Sequence, residues 1–315
     1  MHRRPSRSVL VALVLALGLL FALAGCGTGE EEGEPAASPS PKNFPVTLTT
    51  PNGELTIPKR PARIISLSPT STESLFAIGA GPQVVAVDDQ SDYPATAPQT
   101  KLSGYTPNAE AIAGYRPDLV VLSGNENNIL SALEKLGIPV LLHAAPDNLG
   151  GAYRQIEQLG VATGHRRDAV RLVARMRARI GALVRSAAMP ERHLFVYHEL
   201  SPDGYSATSK TFIGRVYRLL GLGNVADEAD SSGSGYPQLS AEYLVAANPD
   251  LIVLADTTCC DQSAASVAAR PGWDEITAVK KGAVVEVDDS VASRWGPRIV
   301  EFVAAVARAL RETGS

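Results

Sequence analysis

Two glutamates stand at matching positions in a stretch of sequence that occurs twice. Residues 108–124 read NAEAIAGYRPDLVVLSG and residues 240–256 read SAEYLVAANPDLIVLAD, so an offset of 132 residues places Glu110 on Glu242. The helix dipole stabilises a carboxylate in the first turn of a helix by about 0.3–1 kcal/mol, which accounts for either glutamate alone. The equal spacing before Pro-Asp-Leu in both copies instead favours contact with a partner that has matching symmetry.

A second group of side chains follows the ends of predicted strands. Ligands of open α/β sheets bind beyond the carboxyl ends of the strands, and aromatic rings there offer wide contact area to a bulky, rigid ligand. Aromatic residues make up only 5% of the chain, so their concentration in these loops favours a binding site over ordinary loop packing. The candidate ligand-binding residues are Ser68, Pro69, Tyr93, Tyr105, His198, Tyr205, Tyr236, Arg294 and Trp295.

Sequence motifs of enzymes are largely missing. The chain has no G-x-S-x-G elbow, P-loop or H-E-x-x-H. GLGNVA (221–226) follows a helical pattern, which is typical of a helix end and turn. The histidines are scattered without metal-ligating spacing. We therefore expect a protein that is not an enzyme and has no catalytic residue, resident metal or cofactor.

Cys259 and Cys260 are adjacent in the sequence. An exported compartment permits disulfides. Neighbouring Cα atoms lie about 3.8 Å apart, below the usual disulfide range, so a bond between these two residues would form a strained ring that stiffens its turn. Two reduced thiols in a loop are the alternative, and both readings stay open.

Short apolar runs alternate with helical patterns along the chain. Runs of this kind, separated by helices, indicate a parallel sheet covered on both faces. The segment after the first strand contains Thr70 and Glu73, which predict a capping box for the first helix. The predicted strands lie within RIISLSP (63–69), QVVAVDD (83–89), DLVVLSG (118–124), IPVLLHA (138–144), HLFVYHEL (193–200), DLIVLAD (250–256) and AVVEVDD (283–289).

The region between the two groups of strands carries only helical periodicity. Its second run, RRDAVRLVARMRARIGALVRSAA, has roughly 20 residues and would span about 30 Å. Its arginines are interpreted as a solvated helix face and not as a nucleic-acid surface. The pattern predicts two similar α/β lobes joined by one long helix. The predicted segments are an N-terminal lobe at 44–147, a helical linker at 148–190 and a C-terminal lobe at 191–315.

The N-terminus has the layout of a signal peptide. Three arginines precede an apolar run that ends in Leu-Ala-Gly before Cys26, which predicts a lipoprotein leader at 1–25 with lipidation of the cysteine. A membrane anchor is the alternative, but the run is short of the roughly 20 residues that a span needs. Residues 26–43 are predicted to be a flexible tether. Without the leader, 26 basic residues (29 − 3) face 33 acidic ones, and the resulting charge of −7 disfavours nucleic acid as a partner.

Several of these motifs together resemble the periplasmic metal-chelate-binding proteins of ABC importers, the class III family that contains cobalamin-binding and ferric-siderophore-binding proteins. The resemblance covers the chain from about residue 45 and lies in RIISLSPTSTESLFAIGAG, VVAVDDQSDYP, the two repeated stretches and SRWGPRIVEFV. It implies two lobes with central, mostly parallel sheets flanked by helices, a long rigid connecting helix, and slight closure on the ligand. It also implies a monomer held by a lipid on the extracytoplasmic face of the cell membrane.

The resemblance assigns roles to particular residues. It implies that Glu110 and Glu242 dock onto arginines of the two permease subunits, which work with an ATPase. By similarity to cobalamin binders, the four tyrosines named above fall at pocket positions. Segment 257–273, with the cysteine pair, departs from the family pattern and puts the identity of the ligand in doubt.

The sequence therefore leaves more than one hypothesis open for the ligand and for the function. Arg294 could pair with carboxylates of an iron chelate or haem, whereas the aromatic set fits cobalamin equally well. A two-lobed metallochaperone or chelatase-like protein is a second hypothesis. A cell-envelope interaction protein without a transport role is a third.

Overall fold

A computed structural model describes residues 44–187 and 193–313 of the 315-residue chain. The predicted leader, the tether, the lipidation site Cys26 and the predicted boundary between residues 190 and 191 lie outside the described residues. Within the described ranges, no helix combines the length and the apolar character needed to cross a membrane.

The N-terminal lobe contains a five-stranded parallel sheet preceded by a hairpin. The sheet order is β5-β4-β3-β6-β7. The central strands β3 and β6 are wholly buried because each is a continuous apolar run covered on both faces. Strand β5 was not predicted, since its sequence QTKL has no apolar run. The strands are β1 (Val46–Thr50), β2 (Gly53–Ile57), β3 (Ile64–Leu67), β4 (Val84–Asp88), β5 (Gln99–Leu102), β6 (Leu119–Leu122) and β7 (Val140–Leu142).

Three helices cover this sheet: α1 (Pro69–Ala77), α2 (Ala109–Gly114) and α3 (Ile129–Lys135). Helix α2 starts after Asn108, whose side chain accepts a hydrogen bond from the backbone, as an N-cap residue does. The predicted capping box at Thr70 is wrong. Helix α1 begins earlier, with Ser68 as its N-cap and a proline at the first helical position.

Two helices connect the lobes: α4 (Leu149–Thr163) and α5 (Arg166–Ser186). Gly164, with φ of +79°, ends α4 in a left-handed conformation. Helix α5 is the predicted long helix, and its 21 residues bury one apolar face while its arginines lie on the opposite, exposed face. The two helices pack against each other along their length.

The C-terminal lobe repeats the architecture with a four-stranded sheet. Its order is β11-β10-β8-β9, and all pairs are parallel. The strands are β8 (Phe195–Glu199), β9 (Gly223–Asn224), β10 (Leu251–Leu254) and β11 (Val284–Glu286). The helices are α6 (Phe212–Leu219), α7 (Ala241–Ala247), α8 (Ala264–Ala268), α9 (Thr277–Lys280), α10 (Asp289–Ser293) and α11 (Ile299–Thr313).

One apolar core runs through both lobes. It joins the buried face of α5 to α11, which packs on α5, and to strands of both sheets. A second cluster fills the opposite face of the N-terminal sheet. The predicted fold class, two parallel-sheet lobes flanked by helices and joined by a long helix, is confirmed.

Candidate functional site

Four tyrosines in loops at the carboxyl ends of the strands are exposed to solvent. Their exposed fractions run from 45% to 76%, whereas Tyr197 and Tyr217 are fully buried in the core. Because the exposed rings are large and lie at the sheet edge where α/β proteins bind ligands, they form the best candidate contact surface. They are Tyr93, Tyr105, Tyr205 and Tyr236.

The loop that carries Tyr105 lies directly over the ends of β3 and β4. A Cβ atom at Gly104 would be 2.9 Å from Oδ2 of Asp88 and 3.0 Å from the carbonyl oxygen of Leu67. Only glycine allows this close approach. Burial raises the pKa of Asp88 to about 6, although a hydrogen bond with Ser91 lowers it.

Tyr205 and Tyr236 lie on two adjacent antiparallel segments of the C-terminal lobe. Tyr205 forms an isolated bridge with Gln238, and Ser206 N donates to Pro237 O at 3.0 Å. In such a ladder Tyr236 is the diagonal neighbour of Tyr205 on the same face, within reach of an aromatic side chain. The structure therefore brings these two predicted residues together.

Gly204 makes this pairing possible, and replacing it with alanine tests its role. Its φ is +85°, and an added Cβ would overlap the carbonyl oxygen of Leu239. We expect Gly204→Ala to lower the free energy of unfolding by about 2–4 kcal/mol, since strain and clash add. Gly137→Ala is the matched control, because φ there is +68° and the space around it is open. Urea unfolding should give a cost of about 1 kcal/mol for the control, and equal costs would contradict this account.

Arg294 contacts the opposite lobe. Its Nη1 donates to Glu73 Oε1 at 3.0 Å and to Asp92 Oδ1 at 2.7 Å, and its Nη2 donates to Gln90 O at 3.0 Å. These acceptors follow strands β3 and β4, and Arg294 follows β11. The carboxyl ends of the two sheets therefore face each other. Protein acceptors therefore engage the guanidinium of Arg294, which was predicted to face the ligand.

Trp295 also lies at the contact between the lobes. Its Nε1 donates to Gln155 Oε1 at 2.9 Å, and its ring meets Phe212 edge-on at a centroid distance of 6.4 Å. Gln155 belongs to α4 and Phe212 to α6. The ring is half-buried, so part of it is open to solvent.

Two of the predicted ligand contacts, His198 and Ser68, have buried side chains that are engaged within the protein. His198 has no exposed surface, its Nδ1 lies 2.7 Å from Tyr217 Oη, and burial lowers its pKa to about 3. It points into the core because strand residues alternate between faces. The Ser68 hydroxyl caps α1, where it accepts from Ser71 N at 3.3 Å. Pro69 is half-buried at the first position of α1.

An ionic cluster at the ends of β8 and β10 was missed in the sequence. Arg270 donates to both carboxylate oxygens of Glu199, at 2.7 and 2.6 Å, and its guanidinium lies 4.4 Å from the centre of the Trp273 ring. Glu199 and Asp256 are fully buried. Burial and then the charge of Glu199 raise the pKa of Asp256 to about 7. The signal was an acidic residue at the end of each apolar strand.

The two adjacent cysteines are joined by a disulfide bond in the structure. Their loop follows β10, so it lies at the carboxyl edge of the C-terminal sheet. Asp289 holds the loop, since its carboxylate accepts from Cys259 N at 2.8 Å and from Thr258 N at 3.0 Å. The next residue, Ser290, donates to Asp92 of the other lobe at 3.4 Å. Segment 257–273, which departs from the family pattern, therefore begins beside the contact between the lobes.

Glu110 and Glu242 are exposed in the first turns of α2 and α7. The pKa of Glu242 is lowered by hydrogen bonds from its own backbone and from Ser240. A cavity of about 720 Å³ in the C-terminal lobe opens beside Glu242, and its lining includes Arg270 and Trp273. Within residues 44–187 and 193–313, no three His, Cys, Asp or Glu side chains are grouped for a metal ion.

Comparison with known proteins agrees with this architecture. Residues 64–291 match the family model described as periplasmic binding protein. The chain is 31% identical over 95% of its length to an ABC transporter substrate-binding lipoprotein of Bacillus subtilis, YvrC, described as uncharacterized, and covers 95% of it. It is 32% identical over 99% of its length to a cobalamin-binding protein of Halobacterium salinarum, of which it covers 86%. The crystal structure of the vitamin B12-binding protein BtuF of Vibrio cholerae matches 80% of this chain and 98% of that one, with 25% identity and a TM-score of 0.69.

Proposed function

The chain belongs to the periplasmic binding protein family, and from that premise we propose that it is the substrate-binding lipoprotein of an ABC importer for a corrinoid such as cobalamin. The lipid on Cys26 anchors it to the extracytoplasmic face of the cell membrane. It captures the ligand between its lobes and delivers it unaltered to the permease. It needs no cofactor of its own and catalyses no reaction.

The observation that carries this proposal is the set of four exposed tyrosines at the facing edges of the two sheets. Flat aromatic rings suit a large, rigid macrocycle because they give contact area at small entropic cost. The names of the relatives support cobalamin. The engagement of Arg294 by protein carboxylates also favours a corrinoid, since a haem or a carboxylate siderophore presents anionic groups that would need a free cation.

Delivery requires contact with the permease. Glu110 and Glu242 suit this role because each is exposed at the start of an equivalent helix in its own lobe. A permease dimer presents two equivalent surfaces, which two equivalent carboxylates can meet. Both side chains are exposed, and neither forms a salt bridge with another residue in the part of the chain that the structure describes, so both remain available to arginines of a partner.

Titration with ligands tests the proposal through the fluorescence of the two tryptophans. We expect saturable quenching by cyanocobalamin, and a Tyr205→Ala/Tyr236→Ala variant should bind it about tenfold or more weakly, a loss of ~1.4 kcal/mol or more. Phe195→Ala is the matched control. This ring is equally exposed, at 43%, but lies at the amino end of β8, so its loss should leave the affinity unchanged.

The same titration includes haemin and several ferric siderophores. Binding of one of these in place of cyanocobalamin would reassign the ligand to an iron complex. Silence of all probes would contradict the proposed capture of a metal chelate.

A further inference from the structure

Two arginines of the C-terminal lobe meet one buried glutamate of the N-terminal lobe. We propose that Arg294 and Arg298 clamp Glu73, so that they set the width of the cleft and hold the ring of Tyr93 in place for the ligand. They are then positioning residues and not ligand contacts. The effect on the ligand rests on the proposed function, whereas the effect on the lobes does not.

The geometry of the clamp is that of a shared, multiply bonded carboxylate. Arg298 Nε donates to Glu73 Oε2 at 3.1 Å and its Nη2 donates to Oε1 at 2.6 Å, a two-pronged pairing. Arg294 Nη1 adds a third bond to Oε1 at 3.0 Å. Asp92 completes the clamp by accepting from Arg294 at 2.7 Å. The pairs join residues more than 200 positions apart in the sequence, so they tie one lobe to the other.

The N-terminal side of the clamp is held rigidly. Glu73 lies on α1 and Asp92 on the loop after β4. Thr72 Oγ1 lies 2.9 Å from both Ser66 Oγ and Ser91 Oγ, and all three hydroxyls are buried. This chain of hydrogen bonds fixes the helix, the end of β3 and the loop relative to one another. The two carboxylates therefore act as one fixed acceptor surface.

The charges of Glu73, Arg294 and Arg298 stabilise one another because all three side chains are largely shielded from water. The side chain of Glu73 is 1% exposed, and those of Arg294 and Arg298 are each 14% exposed. The hydrogen bond with Glu73 raises the pKa of Arg298. Burial alone would raise the pKa of Asp92, but the hydrogen bond with Arg294 and the charges of Arg294 and Arg298 together lower it below its ordinary value. Without Glu73, Arg294 would keep Asp92 and Arg298 would keep a 3.9 Å pair with Asp288, but the two guanidinium groups would lose the buried counter-charge that they share, which favours separation of the lobes.

The clamp also fixes a candidate ligand contact. The guanidinium carbon of Arg298 lies 4.3 Å from the centre of the Tyr93 ring, a cation–π contact. One face of the ring is therefore covered, while 47% of the residue stays exposed. Because Arg298 binds Glu73 with its edge and Tyr93 with its face, the position of the ring is coupled to the distance between the lobes.

Single-molecule energy transfer between the lobes tests the clamp without a ligand. Dyes on non-natural amino acids at Leu136 and Leu219 report the separation, since both positions are exposed, one in each lobe. Glu73→Gln should lower the mean transfer efficiency and broaden its distribution. Glu275→Gln is the matched control because it makes the same change in an exposed pair with Lys280. It should match the wild type.

A second variant covers the case in which Glu73→Gln does not fold. Arg294→Gln keeps the two-pronged Glu73–Arg298 pair and removes the Arg294 bonds to Glu73, Asp92 and Gln90, so it should cause a smaller shift of transfer efficiency in the same direction. The proposed clamp is wrong if both variants fold and show the transfer efficiency of the wild type. If Glu73→Gln does not fold, a wild-type transfer efficiency of Arg294→Gln is enough to contradict it.

Arg298→Lys distinguishes the effect of Arg298 on the Tyr93 ring from its effect on the distance between the lobes. Lysine keeps a charge for Glu73 but lacks the flat face that stacks on tyrosine. We expect a shift of transfer efficiency no larger than that of Arg294→Gln, because the charge facing Glu73 is kept, together with about tenfold weaker cyanocobalamin binding and no further loss when Tyr93 is already alanine. An equal loss in both backgrounds would contradict positioning through Tyr93. If the wild type binds no cyanocobalamin, the proposed ligand fails while the transfer measurement still decides on the clamp.

Discussion

Replacing Arg270 with methionine is expected to lower the free energy of unfolding by about 3–5 kcal/mol. Arg270 donates two hydrogen bonds to Glu199, a side chain with no exposed surface. Asp256 is buried beside this pair, and the charge of Glu199 helps to raise its pKa. Removal of the cation would leave a buried carboxylate without its counter-charge, and the folded state would bear the cost of desolvating it.

Chemical denaturation at neutral pH measures this effect, with Lys280→Met as the control. Lys280 forms an exposed pair with Glu275, so its loss should change stability by less than about 1 kcal/mol. Adding Glu199→Leu to Arg270→Met should restore part of the loss, because the uncompensated carboxylate is then gone. A stability of Arg270→Met within about 1 kcal/mol of the wild type would contradict the account.

The architecture could be predicted because its strands are continuous apolar runs. Seven predicted strands are present, and the helices at residues 108 and 240 start at the predicted N-caps. Strand β5 was not predicted because its sequence QTKL is mostly polar. It lies at the edge of the sheet, where most of its side chains are exposed to solvent. The short helices α8 to α10 escaped because four or five residues carry too little periodicity to register.

The candidate site was predictable in its location but not in its pairings. Tyr93 and Tyr205 were identified by loop positions after apolar strands, and Tyr105 and Tyr236 by their positions before the two repeated helices. Sequence reasoning placed Glu73 in a capping box and left Arg294 for the ligand, whereas the fold joins them across 221 positions. Local patterns carry no information on such contacts. His198 was misplaced for a related reason, since in a strand buried on both faces the polar residue can face either side.

The charges that line the cleft are therefore largely committed to the protein itself. Glu73, Asp92 and the two arginines neutralise one another, as do Arg270 and Glu199. The large apolar side chains that stay exposed in the loops at the facing edges are the four tyrosines. The exposed carboxylates of Glu110 and Glu242 lie at the starts of α2 and α7, where they suit contact with another protein.

Reversing the charge of both exposed glutamates, Glu110→Lys with Glu242→Lys, is expected to reduce uptake of the ligand to background. Under the proposed function, each carboxylate meets a cation of one permease subunit, and a lysine there would place like charges together at a cost of several kcal/mol. Uptake of labelled cyanocobalamin is measured in cells that carry only the variant. Each single variant should retain part of the activity, because one lobe still docks.

The control for this reversal must change the net charge equally without a substitution in α2 or α7. Glu134→Lys with Glu228→Lys does so, since each lobe contributes one exposed glutamate that lies outside the sequence of α2 and α7. This control should transport normally. Tryptophan quenching should give wild-type affinity for both double variants, because neither change reaches the tyrosines. If the Glu110/Glu242 variant instead lost affinity while the control kept it, the two glutamates would belong to the ligand site or to folding, and their twofold arrangement would need an explanation other than the permease.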